Sequence, residues 1–104
     1  MPLTLAGPVV VMQIMRDAAL SQPWRSREFL RWVKGKSCVR CGRPDSEPHH
    51  FLGSSGSLKS SDLCVVPLCH FCHMVIQDLP LGNWEVIELL RPWVRMLNEY
   101  MREK

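Results

Sequence analysis

Four cysteines stand in two pairs, Cys38-x2-Cys41 and Cys69-x2-Cys72, with residues 42–68 between them. Each pair presents two thiolates on a tight turn, and two such turns facing one another build a closed tetrahedral zinc site. The usual four-cysteine arrangement leaves about 15–20 residues between the pairs, so here something further is inserted. An iron–sulfur cluster is one rival use of these cysteines. A redox Cys-x-x-Cys is another, although that chemistry needs a single pair near a βαβ pattern.

His49 and His50 lie inside the insertion, and His73 directly follows the last cysteine. A closed zinc site has no use for them. Adjacent residues on a strand point to opposite faces. One of the pair can therefore ligate a metal with His73 while the other approaches a substrate from a different angle. Two protein ligands leave room for water and phosphate, which metal-assisted phosphodiester hydrolysis requires. The remaining histidine can deprotonate the attacking water near neutral pH. The plainer alternative is that His49 and His50 are polar residues at a strand end. His70 reads as an exposed turn residue, and Cys64 as a small buried hydrophobe.

These residues need elements to hold them. The sequence predicts a first helix over residues 8–20, with Pro8 in its first turn, against the reluctance of Val9, Val10 and Val11. Ser21, Gln22 and Pro23 break it. A second helix is expected over 25–35, capped by Ser26, with Phe29, Leu30, Trp32 and Val33 as its apolar face and Gly35 at its end. Gly and Pro residues and a serine cluster then mark turns, flanked by short strands expected near 48–52 and 63–67. The stretch 53–57 could offer backbone N–H groups to a DNA strand. A short helix is expected from Cys69 to about Ile76. Asn83 is a good cap for a long C-terminal helix carrying Ile87, Leu90, Val94, Leu97 and Met101 at helical spacing, which Pro92 should kink or divide. That spacing suits a lid over the core and permits a homodimer. Trp24, Trp32, Trp84 and Trp93 are expected in the core.

With 104 residues, 46% of them hydrophobic and 22% charged, the chain is expected to be one ordered domain. A chain this short gains from metal staples, and all five cysteines and four histidines fall between Cys38 and His73. The apolar run 9–12 is far short of the roughly 20 residues of a membrane helix. The start lacks the basic region and cleavage site of a signal peptide, so the expected location is cytoplasmic, where cysteine pairs are metal ligands before they are disulfides. Net charge is +3. It is concentrated in residues 1–36, where Arg16, Arg25, Arg27, Arg31, Lys34 and Lys36 face only Asp17 and Glu28. Such a lead-in suits a polyanion, with a solvated helix face as the alternative.

Cys-x2-Cys, a His-His pair and Pro-Leu-Cys-x2-Cys-His together resemble the HNH endonucleases, also called His-Me finger or ββα-metal nucleases. Arg27-Glu28-Phe29-Leu30-Arg31-Trp32-Val33 leading into Ser37-Cys38-Val39-Arg40-Cys41-Gly42, and Lys59-Ser60-Ser61-Asp62 before Cys69, are similar to phage-borne members of that family. The resemblance covers roughly residues 25–78. It implies a small α+β fold: a zinc-stapled ββα-metal core (37–78), flanked by a basic helical lead-in (1–36) and a C-terminal helix (79–104), all one domain. It further implies that His50 is the general base and that His49 and His73 hold a catalytic divalent metal, Mg²⁺ or Mn²⁺. Cys38, Cys41, Cys69 and Cys72 would hold structural Zn²⁺. The family's middle asparagine, which orients the base, falls here on Cys64, leaving a backbone carbonyl or Asp62 to do so. A third metal ligand common in the family falls on Gln77.

The leading expectation is thus an enzyme that cuts DNA, most simply duplex, gripped through its phosphates by Arg25, Arg27, Lys34, Lys36 and Lys59. The rival is a non-catalytic zinc module that binds nucleic acid or a protein. His49, His50 and His73 separate the two, because a structural zinc site does not need them.

Overall fold

A computed structural model describes residues 7–21, 24–52, 54–55 and 58–103. The order is α1 (Gly7–Ser21), α2 (Arg27–Lys34), β1 (Ser46–His50), β2 (Ser54–Ser55), β3 (Leu58–Lys59), a 3-10 turn (Asp62–Cys64), β4 (Val65–Cys69), α3 (His70–Gln77), the one-turn α4 (Trp84–Ile87) and α5 (Leu90–Glu103). The fold is therefore small α+β, as expected. Of the stretch 53–57, positions 53, 56 and 57 lie outside the described residues, as do Gln22 and Pro23.

The centre is an antiparallel pair of β1 and β4, with Ser46 opposite Cys69, His49 opposite Val66 and His50 opposite Val65. Pro48 sits directly opposite Pro67. Neither has an N–H to exchange, so this is a position where the two strands do not bond each other. The Pro67 carbonyl faces outward and accepts the Val39 amide at 3.0 Å, tying the first cysteine turn to β4.

Strand alternation divides the apolar residues. Val66 and Leu68 join Met12, Phe51, Leu52, Ile76, Val86 and Leu89 in one cluster. Val65 faces the other way, into a second cluster with Phe29, Val33 and Met96. The pair is thus covered on both faces: α3 with α1 and α4 complete one layer, and α2 with α5 the other. The Phe29 ring is fully buried and lies 4.8 Å from Tyr100 and 6.0 Å from Trp32, centroid to centroid. Trp32 Nε1 donates to Glu103 and Lys36 Nζ to Glu99 at 2.7 Å, latching α5 to α2.

Helix ends follow the caps. Ser26 Oγ accepts from Phe29 N at 3.1 Å and Asn83 Oδ1 from Glu85 N at 2.9 Å. Three expectations are corrected. Both strands lie two residues nearer the cysteines than expected, because Phe51 and Leu52 are buried in the turn after β1 and Ser61 caps the 3-10 turn at 62–64. The C-terminal helix divides at residues 88–89, before Pro92, which then occupies the first turn of α5, where its missing N–H costs nothing. Trp84 and Trp24 are 66% and 45% exposed and are not core, whereas Trp93 packs on Phe51 and donates Nε1 to the Leu63 carbonyl at 2.8 Å. On α5, Val94 and Met101 are exposed, whereas Leu90 and Leu97 pack against the two apolar clusters. No helix among the described residues is long and apolar enough to cross a membrane.

Candidate metal centre and histidine cleft

The connection from α2 to β1 makes the first cysteine turn. Gly42 N donates to the Cys38 carbonyl at 2.9 Å, and Cys38 N to the Arg43 carbonyl at 2.8 Å. Closing the turn puts Gly42 at φ +84°, where a side chain is strained. The second turn lies where β4 meets α3: Cys69 caps the helix, its Sγ accepting the Cys72 amide at 3.5 Å. The pairing of Ser46 with Cys69 brings the two turns together. All four Sγ atoms lie within 4.8 Å of one another, Cys41 and Cys69 at 3.5 Å. Tetrahedral zinc with bonds near 2.3 Å places its sulfurs about 3.8 Å apart, so this group can hold a metal ion such as zinc.

Burial raises the Cys38 thiol, but backbone N–H groups of Cys69, Cys41 and Arg40 outweigh it and bring the pKa down to about 6. Burial pushes Cys72 up to about 12, against the pull of Arg40, whose Nη1 lies 3.6 Å from its sulfur. A divalent cation is what lets four such sulfurs ionise together. Arg40 also pairs with Glu85 at 3.1 Å, joining this centre to α4. Replacing Gly42 by Ala is expected to cost about 1–2 kcal/mol. No atom lies within 4 Å of an added Cβ, so the cost is conformational. Thermal melts of the zinc-loaded parent and variant check it.

Three of the four histidines share a cleft. His49, His50 and His73 line one open cleft of about 390 Å³ with Pro48, Lys59, Gln77 and Asp78. The rings of His49 and His73 are 4.5 Å apart, tilted by 59°. Burial, then the nearby charges of His73 and His50, lowers His49 to a pKa of about 4, so it is neutral at pH 7 as a ligand must be. His73 Nδ1 is 2.5 Å from Glu47 Oε1, which leaves Nε2 for the cleft. The His73 bond in turn holds the Glu47 carboxyl below its usual range. The sequence reading missed Glu47. The signal was available, because residues 47 and 49 share one face of β1.

His50 Nε2 lies 2.8 Å from Asp62 Oδ1. Asp62 is buried, its Oδ2 accepts the Ser26 amide at 2.9 Å, and Arg25 Nη1 lies 3.3 Å from Oδ1. Burial raises this carboxyl, but the bonds from His50 and Ser26, with the charges of His50 and Arg25, hold it below the ordinary value. Among the described residues, Asp62 is the group bonded to the His50 ring. Cys64 is buried, its thiol pushed up to about 11, and it behaves as a small apolar residue. His70 is exposed, as expected, but it is the first residue of α3 and not a turn residue.

Asp62→Asn is expected to lower stability by about 1–3 kcal/mol at neutral pH, since it leaves a buried network partly unpaired. The folded carboxyl titrates below its unfolded value of about 3.9. Its stabilisation is therefore complete well above that value and is lost as pH falls through the lower, folded one. Urea unfolding of parent and variant should show a constant gap above roughly pH 5 that narrows below it.

The expected phosphate contacts separate on inspection. Arg27 and Lys34 are exposed on α2, and Lys59 lies on the cleft. Lys36 is held by Glu99 and lies 4.3 Å over the Trp32 ring. Arg25, still exposed, bonds to Asp62 and to the carbonyls of Lys59 and Ser60.

A family described as "Protein of unknown function (DUF968)" matches residues 10–88, which include both cysteine turns, His49, His50, Asp62 and His73. An uncharacterized protein of Escherichia coli K12, YdfU, is 42% identical over 53 residues, covering 48% of this chain. The chain spans 15% of that protein's length. No solved structure matches the chain significantly. With most of its length and both sites inside the match, the chain belongs to the DUF968 family.

Proposed function

We propose that this protein is a metal-dependent endonuclease of the HNH, or His-Me finger, type, which hydrolyses phosphodiester bonds in DNA. One observation carries the reading: His49, His50 and His73 converge on a single open cleft, apart from a four-cysteine group that already suffices as a staple. The pairing of β1 with β4 followed by α3 supports a ββα-metal core.

Each residue then has a role. His49, neutral and half-buried, and His73, oriented by Glu47, would hold a divalent ion such as Mg²⁺ or Mn²⁺. When bound, that ion supplies positive charge for the scissile phosphate and the departing oxygen. His50 presents Nδ1 to the cleft when Nε2–H donates to Asp62. In that tautomer Nδ1 takes a proton from the attacking water, and the Asp62 carboxylate stabilises the resulting imidazolium. Lys59 stands on the cleft to meet a phosphate oxygen, with Arg27 and Lys34 available to the flanking backbone.

The alternative is a zinc-bearing interaction module with a degenerate HNH site, favoured by Cys64 and Gln77 where the family pattern has an asparagine and a ligand. Supercoiled plasmid decides between them. The zinc-loaded protein should yield nicked or linear DNA with Mg²⁺ or Mn²⁺ and none with chelator. DNA left intact with every divalent metal overturns the nuclease.

A further inference from the structure

Arg25 stands in the basic lead-in, where sequence alone places it on a phosphate. Its guanidinium is spent elsewhere. Nη1 donates to the Ser60 carbonyl at 2.5 Å and lies 3.3 Å from Asp62 Oδ1, while Nη2 donates to the Lys59 carbonyl at 2.5 Å. Its neighbours complete a bracket around the same segment: Asp62 N donates to the Trp24 carbonyl at 2.7 Å, and Ser26 N to Asp62 Oδ2 at 2.9 Å. Residues 24–26 thus grip the short stretch that carries Lys59 at one end and Asp62 at the other.

We propose that Arg25 is a positioning residue for the hydrolytic cleft: its fork aligns Asp62 behind His50 and fixes the backbone of Lys59, which also lines the cleft. This rests on the nuclease reading for its consequence, but not for its geometry. Asp62 can select the His50 tautomer only if Oδ1 stays on Nε2, since the partner of one ring nitrogen decides which nitrogen carries the proton. Arg25 and the Ser26 amide hold that carboxylate from two sides, so His50 keeps its Nδ1 lone pair toward the cleft. A lysine would keep the charge but not the planar fork that spans two carbonyls and a carboxylate at once. The lead-in therefore acts on the reacting groups from behind, with no contact to substrate.

The test uses the full zinc-loaded chain with Arg25→Gln and Arg25→Lys. Zinc content and far-UV circular dichroism report the fold. Imidazole ¹⁵N–¹H correlation spectra, with His50→Gln for assignment, report the tautomer. The parent should show His50 as the Nε2–H tautomer. Arg25→Gln should mix the two tautomers and lower kcat for plasmid nicking about 10–100-fold, as slight misplacement of a reacting group does. KM should change little, and Arg25→Lys should recover the tautomer only in part. Two results overturn the proposal. One is an unchanged His50 tautomer in Arg25→Gln, or in Arg25→Lys should the first variant not fold. The other is a raised KM with unchanged kcat and a salt slope reduced by about one, the signature of a phosphate contact. If the parent cuts no DNA, the nuclease reading fails while the tautomer comparison still decides the role of Arg25.

Discussion

Stripping metal from the four-cysteine centre is expected to unfold the chain outright. Three of the four cysteines are buried, and the two turns they form are the joint between the α2–β1 connection and the β4–α3 junction. Without a cation thiols such as Cys72 stay protonated, and only weak S–H contacts such as Cys41 with Cys69 join the two turns. Structural zinc contributes about 10–16 kcal/mol of apparent binding energy in small domains at neutral pH, comparable to or above a typical total stability of about 5–15 kcal/mol. Cys69→Ser isolates the effect, because serine caps α3 as well as cysteine does and only the metal bond is lost. Chelator titration followed by circular dichroism, with released zinc read by an indicator dye, should show both signals moving together. Cys64→Ala, a buried thiol outside the centre, should keep its zinc. A metal-free chain with a cooperative melt would refute the expectation.

Replacing His50 by Ala should reduce plasmid nicking about 10²–10⁴-fold, the usual contribution of a positioned general base. The fold should survive, because His50 belongs to neither apolar cluster. His49→Ala and His73→Ala should act differently, weakening the divalent metal requirement's midpoint as well as the rate. The measurement is nicking rate against Mn²⁺ concentration for the three variants, each with its zinc content and circular dichroism matched to the parent. Cutting by His50→Ala at the parental rate would remove His50 as the base.

Much of the local structure was legible in the residues. The caps Ser26 and Asn83, the apolar face of α2 and the Cys-x2-Cys turns all depend on neighbours within a few positions, and each is where local chemistry puts it. The strand limits were less legible. The register is decided by pairing Ser46 with Cys69, a contact across the chain, and by burial of Phe51 and Leu52, which could equally have continued a strand. Trp84 shows the same limit from the other side. An aromatic residue carries no local mark of whether a neighbour will cover it.

For the candidate sites, sequence by itself determined the residue types and their grouping: four cysteines in two turns, and a histidine pair with a third histidine beyond. Spacing suffices for that, since a turn of four residues must bring its two thiols together. Only the tertiary structure decided the supporting contacts. Glu47 behind His73, Asp62 behind His50, and Arg25 paired with Asp62 join residues 26, 12 and 37 positions apart. Charge alone made Arg25 look like a phosphate contact. Its actual partners are a buried carboxylate and two backbone carbonyls, which exist as a set only once residues 24–26 lie against residues 59–62.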